Sequence, residues 1–344
     1  MTGSSTTREG HVVCFGELLM RLATAPGHLL ADAPDVHIAI GGAEANVGVA
    51  LTAMGHDASI VSRVPANALG DKARRSLAGA GLGVRHLTQA PGSRMGLYFL
   101  EVGASLRPSA IVYDRAGSAF ATARPEDFDF AAALDGAALL HVSGITPALG
   151  PNGVQLARAA IRVASAAGVP VSFDCNFRES LWNAWECNPR EVLLELLAEA
   201  TIVFGNHRDM TLLLGRPFSG EDEARRREAA EAAFAHFPKL ALMASTTRTA
   251  VTQTHHRIAA RVDLRDDHHQ TATLDVPDIV DRIGSGDAFA AGVLTGWLEQ
   301  AGARRMAELG LAMNVLKHSV HGDWLRLPRS EIDAFTGRSG DVRR

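Results

Sequence analysis

The stretch DRIGSGDAF, residues 281–289, sets Asp281, a Gly284-Ser285-Gly286 turn and Asp287 directly ahead of an apolar run. It reads as a glycine turn running into a helix. Glycine permits positive φ and close backbone approach, and the first amides of a helix point outward, unpartnered, at the positive end of its dipole. Phosphate oxygens suit such a site. A carboxylate beside them makes sense if it handles a proton, because phosphoryl transfer requires an acceptor hydroxyl to be oriented and deprotonated while amides neutralise the moving group. On this reading Asp287 is the base, and Gly284, Ser285 and Gly286 form an anion hole. The plainer alternative is a helix start, with Asp287 stabilising the dipole and the glycines making a tight turn.

Other residues could serve the same chemistry. The pair Gly41-Gly42, followed by Asn46 early in a small-residue helix, would let a ligand touch backbone and offer it an amide donor and acceptors. Tyr98 and Tyr113, the only tyrosines, fall on alternating segments at 96–103 and 108–119 that read as a hairpin, with Arg115 two residues beyond. Tyrosines suit sugars and a guanidinium suits a carboxylate, although tyrosines also simply favour strands. FDCNFRESLW sets Asp174, Asn176 and Arg178 just past a buried run, where Arg178 could meet a carboxylate, phosphates, or a surface partner. GNHRD contributes Asn206 and Asp209, MASTTRTA contributes Ser245, Thr246, Thr247 and Arg248, and HGDW contributes Asp323. The pairs His255-His256 and His268-His269 match no zinc spacing and are expected on solvent-exposed strands or turns.

The string D-x-x-G-S-G-D-A-F-A-A-G resembles the C-terminal signature of the ribokinase-like (PfkB) carbohydrate kinases. The likeness extends to G-G-x-x-x-N at 41–46, which binds sugar hydroxyls in that family, and to D-x-N-x-R-x-x-x-W at 174–182. There are departures. Asn67 stands where the family has Asp, Asp209 replaces the Glu that organises magnesium through water, and 243–250 lacks the family's ATP-contacting lysine and G-x-x-G. The string K-H-S-x-x-G-D at 317–323 resembles that of 2-keto-3-deoxygluconate kinases within the family. The resemblance implies ATP and Mg2+, an acid sugar phosphorylated on its 6-hydroxyl, and a homodimer formed through a strand lid. It also implies Gly41, Gly42, Asn46, Tyr98, Tyr113, Arg115, Arg178, Asp287 and Asp323 at the substrate. At ATP it points to Asn176, Arg178, Asn206, Ser245, Thr247, Arg248, Gly284 and Gly286, with Asp209 acting on the metal through water.

These side chains need a scaffold. Short buried strands alternate with helices from residue 138 to 245, which indicates a mostly parallel sheet with helices on both faces. A break at Gly16-Glu17, after the first apolar strand, is where open α/β sheets place ligands. The resemblance sharpens this to a ribokinase-like three-layer α/β sandwich over 11–335, with a lid from parts of 18–40 and 92–118 and tails at 1–10 and 336–344. The mixed-charge run 219–231 reads as a solvated helix. At 344 residues and 47% hydrophobic the chain can bury a large core, and a formal charge of −4 gives no pull toward nucleic acid or acidic membranes. Three scattered cysteines and the absence of a signal-like or spanning apolar run point to a cytoplasmic protein with reduced thiols. The rivals are a neutral-sugar kinase such as a fructokinase or ribokinase, a catalytically inactive sugar-acid sensor, and a dinucleotide-dependent dehydrogenase. The last lacks an early G-x-G-x-x-G after a strand.

Overall fold

A computed structural model describes residues 8–104 and 107–337. In chain order the strands are β1 His11–Phe15, β2 Leu19–Ala23, β3 His37–Gly41, β4 Ala58–Pro65, β5 Leu87–Ala90, β6 Gly96–Glu101 and β7 Ala110–Asp114. They continue with β8 Ala137–Ser143, β9 Val171–Asp174, β10 Ile202–Phe204, β11 Leu242–Thr252, β12 His255–Leu264, β13 His268–Gln270 and β14 Leu274–Val276. The large sheet runs β13, β12, β11, β10, β9, β8, β1, β4, β5, with β14 also on β12. From β11 to β5 neighbours pair parallel, and β12 turns antiparallel onto β11 and carries β13 and β14.

Strand β1 shows why the sheet lies in the middle. Val12 and Cys14 join one apolar core, Val13 and Phe15 the other, and all four are buried. Side chains alternate across a strand, so a strand apolar on both faces must be covered on both. One core takes the helices Ala43–Ala53, Ser285–Leu298 and Ala303–Lys317, and the other takes Pro151–Ala166 and Pro189–Leu197. The expected α/β sandwich is therefore present. No helix of the described residues is long and apolar enough to cross a membrane.

A second sheet of order β3, β2, β6, β7 stands over the carboxyl ends of the large one. It is mixed, since β2 pairs parallel with β6 while β3 and β7 run antiparallel to their neighbours. The expected hairpin is present, with Tyr98 opposite Tyr113. The segment 243–250 is the body of β11, held along its length by β12. Some expectations fail. His256 is buried, because it lies on the inward face of β12 against His318. The charge run begins a helix only at Glu223, capped by the Asp222 side chain, and Ala229, Ala230 and Ala233 are its buried side. Residues assigned to tails are partly structured, since the Arg8 amide donates to the Leu298 carbonyl and the helix Arg329–Gly337 runs past 336. The remainder of both tails, 1–7 and 338–344, lies outside the described residues.

Candidate active site

A cleft of about 720 Å³ opens where the carboxyl ends of the strands meet the small sheet. Gly42, Asn46, Tyr98, Tyr113, Arg115, Asn176, Arg178, Arg248, Gly284, Ser285, Gly286, Asp287 and Asp323 all line it. Asn206, Ser245 and Thr247 line an adjoining cavity of about 310 Å³, which shares Thr246 and Arg248 with the first. Gly41 and Asp209 line neither.

The glycine turn has two different glycines in it. Gly284 is the N-cap of the helix Ser285–Leu298 at φ +82°, and a Cβ there would run into the Asp323 carbonyl oxygen. The fold itself requires it. Gly286 is already helical, not at positive φ, and a Cβ on it would meet nothing within 4 Å. Only a molecule in the cleft would notice its side chain. Asp287 follows in the first turn and accepts a 2.6 Å hydrogen bond from Asn46 Nδ2. Asn46 Oδ1 is buried without a hydrogen-bond partner among the described residues.

The Gly41-Gly42 pair proves to be a crossing point of the chain. A Cβ on Gly41 would strike the Asp323 carboxylate, and one on Gly42, at φ +149°, would strike the Glu17 carbonyl. The space expected for a ligand at Gly41 is thus filled by protein. Asp323 and the Tyr98 hydroxyl line the cleft and are at the same time engaged with other protein groups. Tyr98 donates to Asp323 Oδ2 at 2.6 Å, and Arg21 bridges Asp323 Oδ1 at 2.9 Å and Asp281 Oδ2 at 2.7 Å, all buried. These groups satisfy one another and hold the small sheet to the glycine turn. Asp209 and Asn206 are committed locally as well. Asp209 Oδ2 accepts the Asn206 amide at 2.7 Å and Asn206 Oδ1 accepts the Arg208 amide at 2.8 Å, a capping box on the helix His207–Leu214.

Over residues 9–327 the chain matches the model of the pfkB family carbohydrate kinase. The chain belongs to the pfkB family of carbohydrate kinases. It is similar to the 2-dehydro-3-deoxygluconokinase of Thermotoga maritima, with 34% identity and a TM-score of 0.90 over 96% of this chain and 99% of that one. The 2-dehydro-3-deoxygalactonokinase of Haloferax volcanii is 28% identical across 96% of this chain and 98% of its own length. The 2-dehydro-3-deoxygluconokinase of Thermoproteus tenax is 28% identical across 92% and 91%. ATP is the phosphoryl donor that membership of this family implies.

Charge in the kinase's cleft is arranged in two groups. Three carboxyls gather at the base. Burial lifts Asp287 to about 6, with Asp323 adding to the push and Asn46 and Arg178 opposing it. Burial, then repulsion from Asp287, lifts Asp174 to about 8, and burial lifts Glu44 to about 7 against its hydrogen bonds from Ser143. Toward the mouth lie cations. Partial burial and the neighbouring Arg282 both hold Arg248 below the usual guanidinium range, and Arg208, Arg226 and Arg261 line the adjoining cavity. Asp263 lines the same cavity and pairs with Arg261, which leaves Arg208, Arg226 and Arg248 as a cationic wall of the kind that suits a polyanion such as the phosphates of ATP. Among the described residues no group of three or more His, Cys, Asp or Glu could hold a metal ion. A magnesium ion carried largely by phosphate oxygens and water fits this donor set.

Arg115 has a partner that its position in the sequence does not disclose. Its Nε and one terminal nitrogen bond Glu17 Oε2, while Ser118 bonds Glu17 Oε1. Glu17 and Asp174, at strand ends named from the sequence, line the cleft, and so do Glu44, Arg282 and Asn314, which were not singled out for it. Glu44 sits inside the G-G-x-E-x-N string and Asp174 heads D-x-N-x-R, so both were in view; their burial was not. Asn176, at φ +37°, is one of few non-glycine residues in the left-handed region, and its amide donates to Asp174 Oδ1. Such conformations gather at functional turns.

The carboxyl cluster carries a stability consequence. A carboxyl whose folded value is raised favours folding in its protonated form, so that contribution is lost as pH rises through the folded value. For Asp174 the contribution is full below the ordinary value of 3.8, falls progressively as pH rises from there, and is gone above about 8. Asp174→Asn, which keeps an acceptor for the Asn176 amide, should therefore raise Tm by about 2 °C or more at pH 8.5 and leave it unchanged near pH 4. Calorimetry giving an equal or lower Tm at pH 8.5 would show that Asp174 is not held against its charge.

Proposed function

We propose that this kinase phosphorylates 2-keto-3-deoxygluconate or a close keto-deoxy acid at its terminal 6-hydroxyl. The observation that carries the reading is the presence of Arg115 and Arg178 in the same cleft as Asp287, with the tyrosine pair on the small sheet beside them. The names of the similar proteins from Thermotoga maritima, Thermoproteus tenax and Haloferax volcanii support the same substrate class. Asp287 orients the acceptor hydroxyl and takes its proton, helped by the Asn46 amide that fixes the carboxylate. The amides of the 284–287 turn face the transferring group. Arg115 and Arg178 hold the substrate carboxylate. Arg115 spends one guanidinium edge on Glu17, and Nη1 belongs to the other. Magnesium arriving with ATP supplies charge screening between the phosphates, and Asp209 would reach it only through water. Closure of the small sheet over the cleft would exclude water from the donor.

A neutral-sugar kinase is the second reading, and the Glu17–Arg115 pair favours it, because that pair leaves little net charge on this wall. ADP release measured across keto-deoxy acids and neutral sugars separates the two. The sharper test is Arg115→Met. Losing one charge-assisted contact in a closed site costs about 2–5 kcal/mol, so kcat/KM for the acid should fall roughly 30-fold or more. An analogue lacking the carboxylate should be almost unaffected. Equal losses on both would make Arg115 structural and reassign the enzyme to neutral sugars.

A further inference from the structure

Lys317 ends the helix Ala303–Lys317 and is fully buried. Burying an ammonium is costly unless acceptors surround it. Its Nζ donates to the backbone carbonyls of Asp281 at 3.2 Å and Val320 at 3.1 Å, while Arg21 takes the side-chain carboxylates of Asp281 and Asp323. Asp281 leads into the glycine turn. Val320 leads into the loop whose Asp323 carbonyl packs on Gly284. One ammonium thus clamps the two segments that shape the turn. An apolar side chain of the same length would fill the space but leave both carbonyls unpaired, and a neutral amide could donate to them without adding charge behind the turn.

We propose that Lys317 is a positioning residue for phosphoryl transfer, its fixed ammonium bracing the glycine turn from behind through the Asp281 and Val320 carbonyls. The inference rests on Asp287 being the base. Burial and Asp323 push the proton affinity of Asp287 up, while the Asn46 hydrogen bond, then Arg178, then Lys317 draw it down. Lys317 is itself weakened as an acid-base group by burial and supported by Asp281 and Asp323. The other groups facing Asp287 are Asn46 and Glu44 from the helix Ala43–Ala53 and Asp174 at the end of β9.

The test measures kcat, KM and the pH profile from 5 to 9 for Lys317→Met and for Lys317→Gln, which keeps a donor but no charge. In both, kcat should fall about tenfold or more, because a displaced anion turn loses alignment with the transition state. Sugar KM should stay within about twofold, and the acid limb of kcat/KM should move up by about half a pH unit or more, since an attractive charge has been removed. A structural role alone would not move that limb. An unmoved limb in a folded variant overturns the proposal, as does wild-type kcat in Lys317→Gln. Asp287→Asn run alongside keeps the two readings apart: if it stays active the base assignment fails, whereas an inactive Asp287→Asn with unmoved limbs in the Lys317 variants sinks this inference alone. Should neither variant fold, the wild type still decides. It has only three lysines, and Lys72 and Lys239 are exposed. Nitrogen-15 spectra should therefore show one exchange-protected ammonium at pH 7.5, and a neutral amine there would overturn the charge on which the proposal depends.

Discussion

Asp287→Asn is expected to lower kcat by roughly 10²–10⁴ with little change in sugar KM. In a helix-start role alone, Asp287→Asn would give up only a charge–dipole contribution of about 0.3–1 kcal/mol to stability and leave turnover near normal. The amide can still pair with Asn46 across the cleft floor, and what it cannot do is take a proton from the acceptor hydroxyl. Because burial holds Asp287 near 6, the wild-type enzyme should gain kcat/KM as pH rises through that region, and the residual activity of the variant should lose this limb. Glu44 and Asp174 repel Asp287, so the limb belongs to the set of three acids. Near-normal kcat in a folded Asp287→Asn enzyme would remove the base assignment.

Gly286→Val carries the second large effect. Valine should fit the fold, because Gly286 is helical and open space surrounds the position of its Cβ. A β-branched residue in a first helical turn costs under about 1 kcal/mol. A phosphoryl group drawn onto the turn amides would meet the new side chain. ATP-dependent kcat/KM should therefore drop about 100-fold or more, while Tm stays within about 3 °C and sugar binding survives. Gly284→Val makes the contrast, since its φ of +82° and the Asp323 carbonyl forbid a side chain whatever the ligand. Wild-type turnover in Gly286→Val would mean that no phosphoryl group approaches the turn.

The layered fold and the glycine turn were legible because both rest on local pattern: apolar runs of strand length between helices, and glycines ahead of a small-residue helix. The Tyr98–Tyr113 hairpin was legible for the same reason. What escaped was pairing at long range. Nothing near Arg115 announces Glu17, and nothing near Asp323 announces Arg21 and Tyr98, so the cleft residues carry protein partners that local pattern does not show. The 243–250 segment escaped for another reason. Its Ser, Thr and Arg residues read as possible ligand contacts, while β-branched threonines also alternate well in a long strand once β12 supplies the ladder. Lys317 sat within a recognised string and still gave no hint of its burial.

Arg21 has a consequence for how the protein is made. It is translated 260 and 302 residues ahead of the two carboxylates that neutralise it. At about 5–20 residues per second the ribosome needs roughly 15–60 s to deliver the second of them. Burying the guanidinium in that interval would leave a charge unpaired, at a cost of about 3–5 kcal/mol. The wall formed by β2 and β6 therefore stays hydrated on the nascent chain until its last segment emerges, and a prematurely terminated polypeptide offers proteases an open edge instead of a half-built pocket.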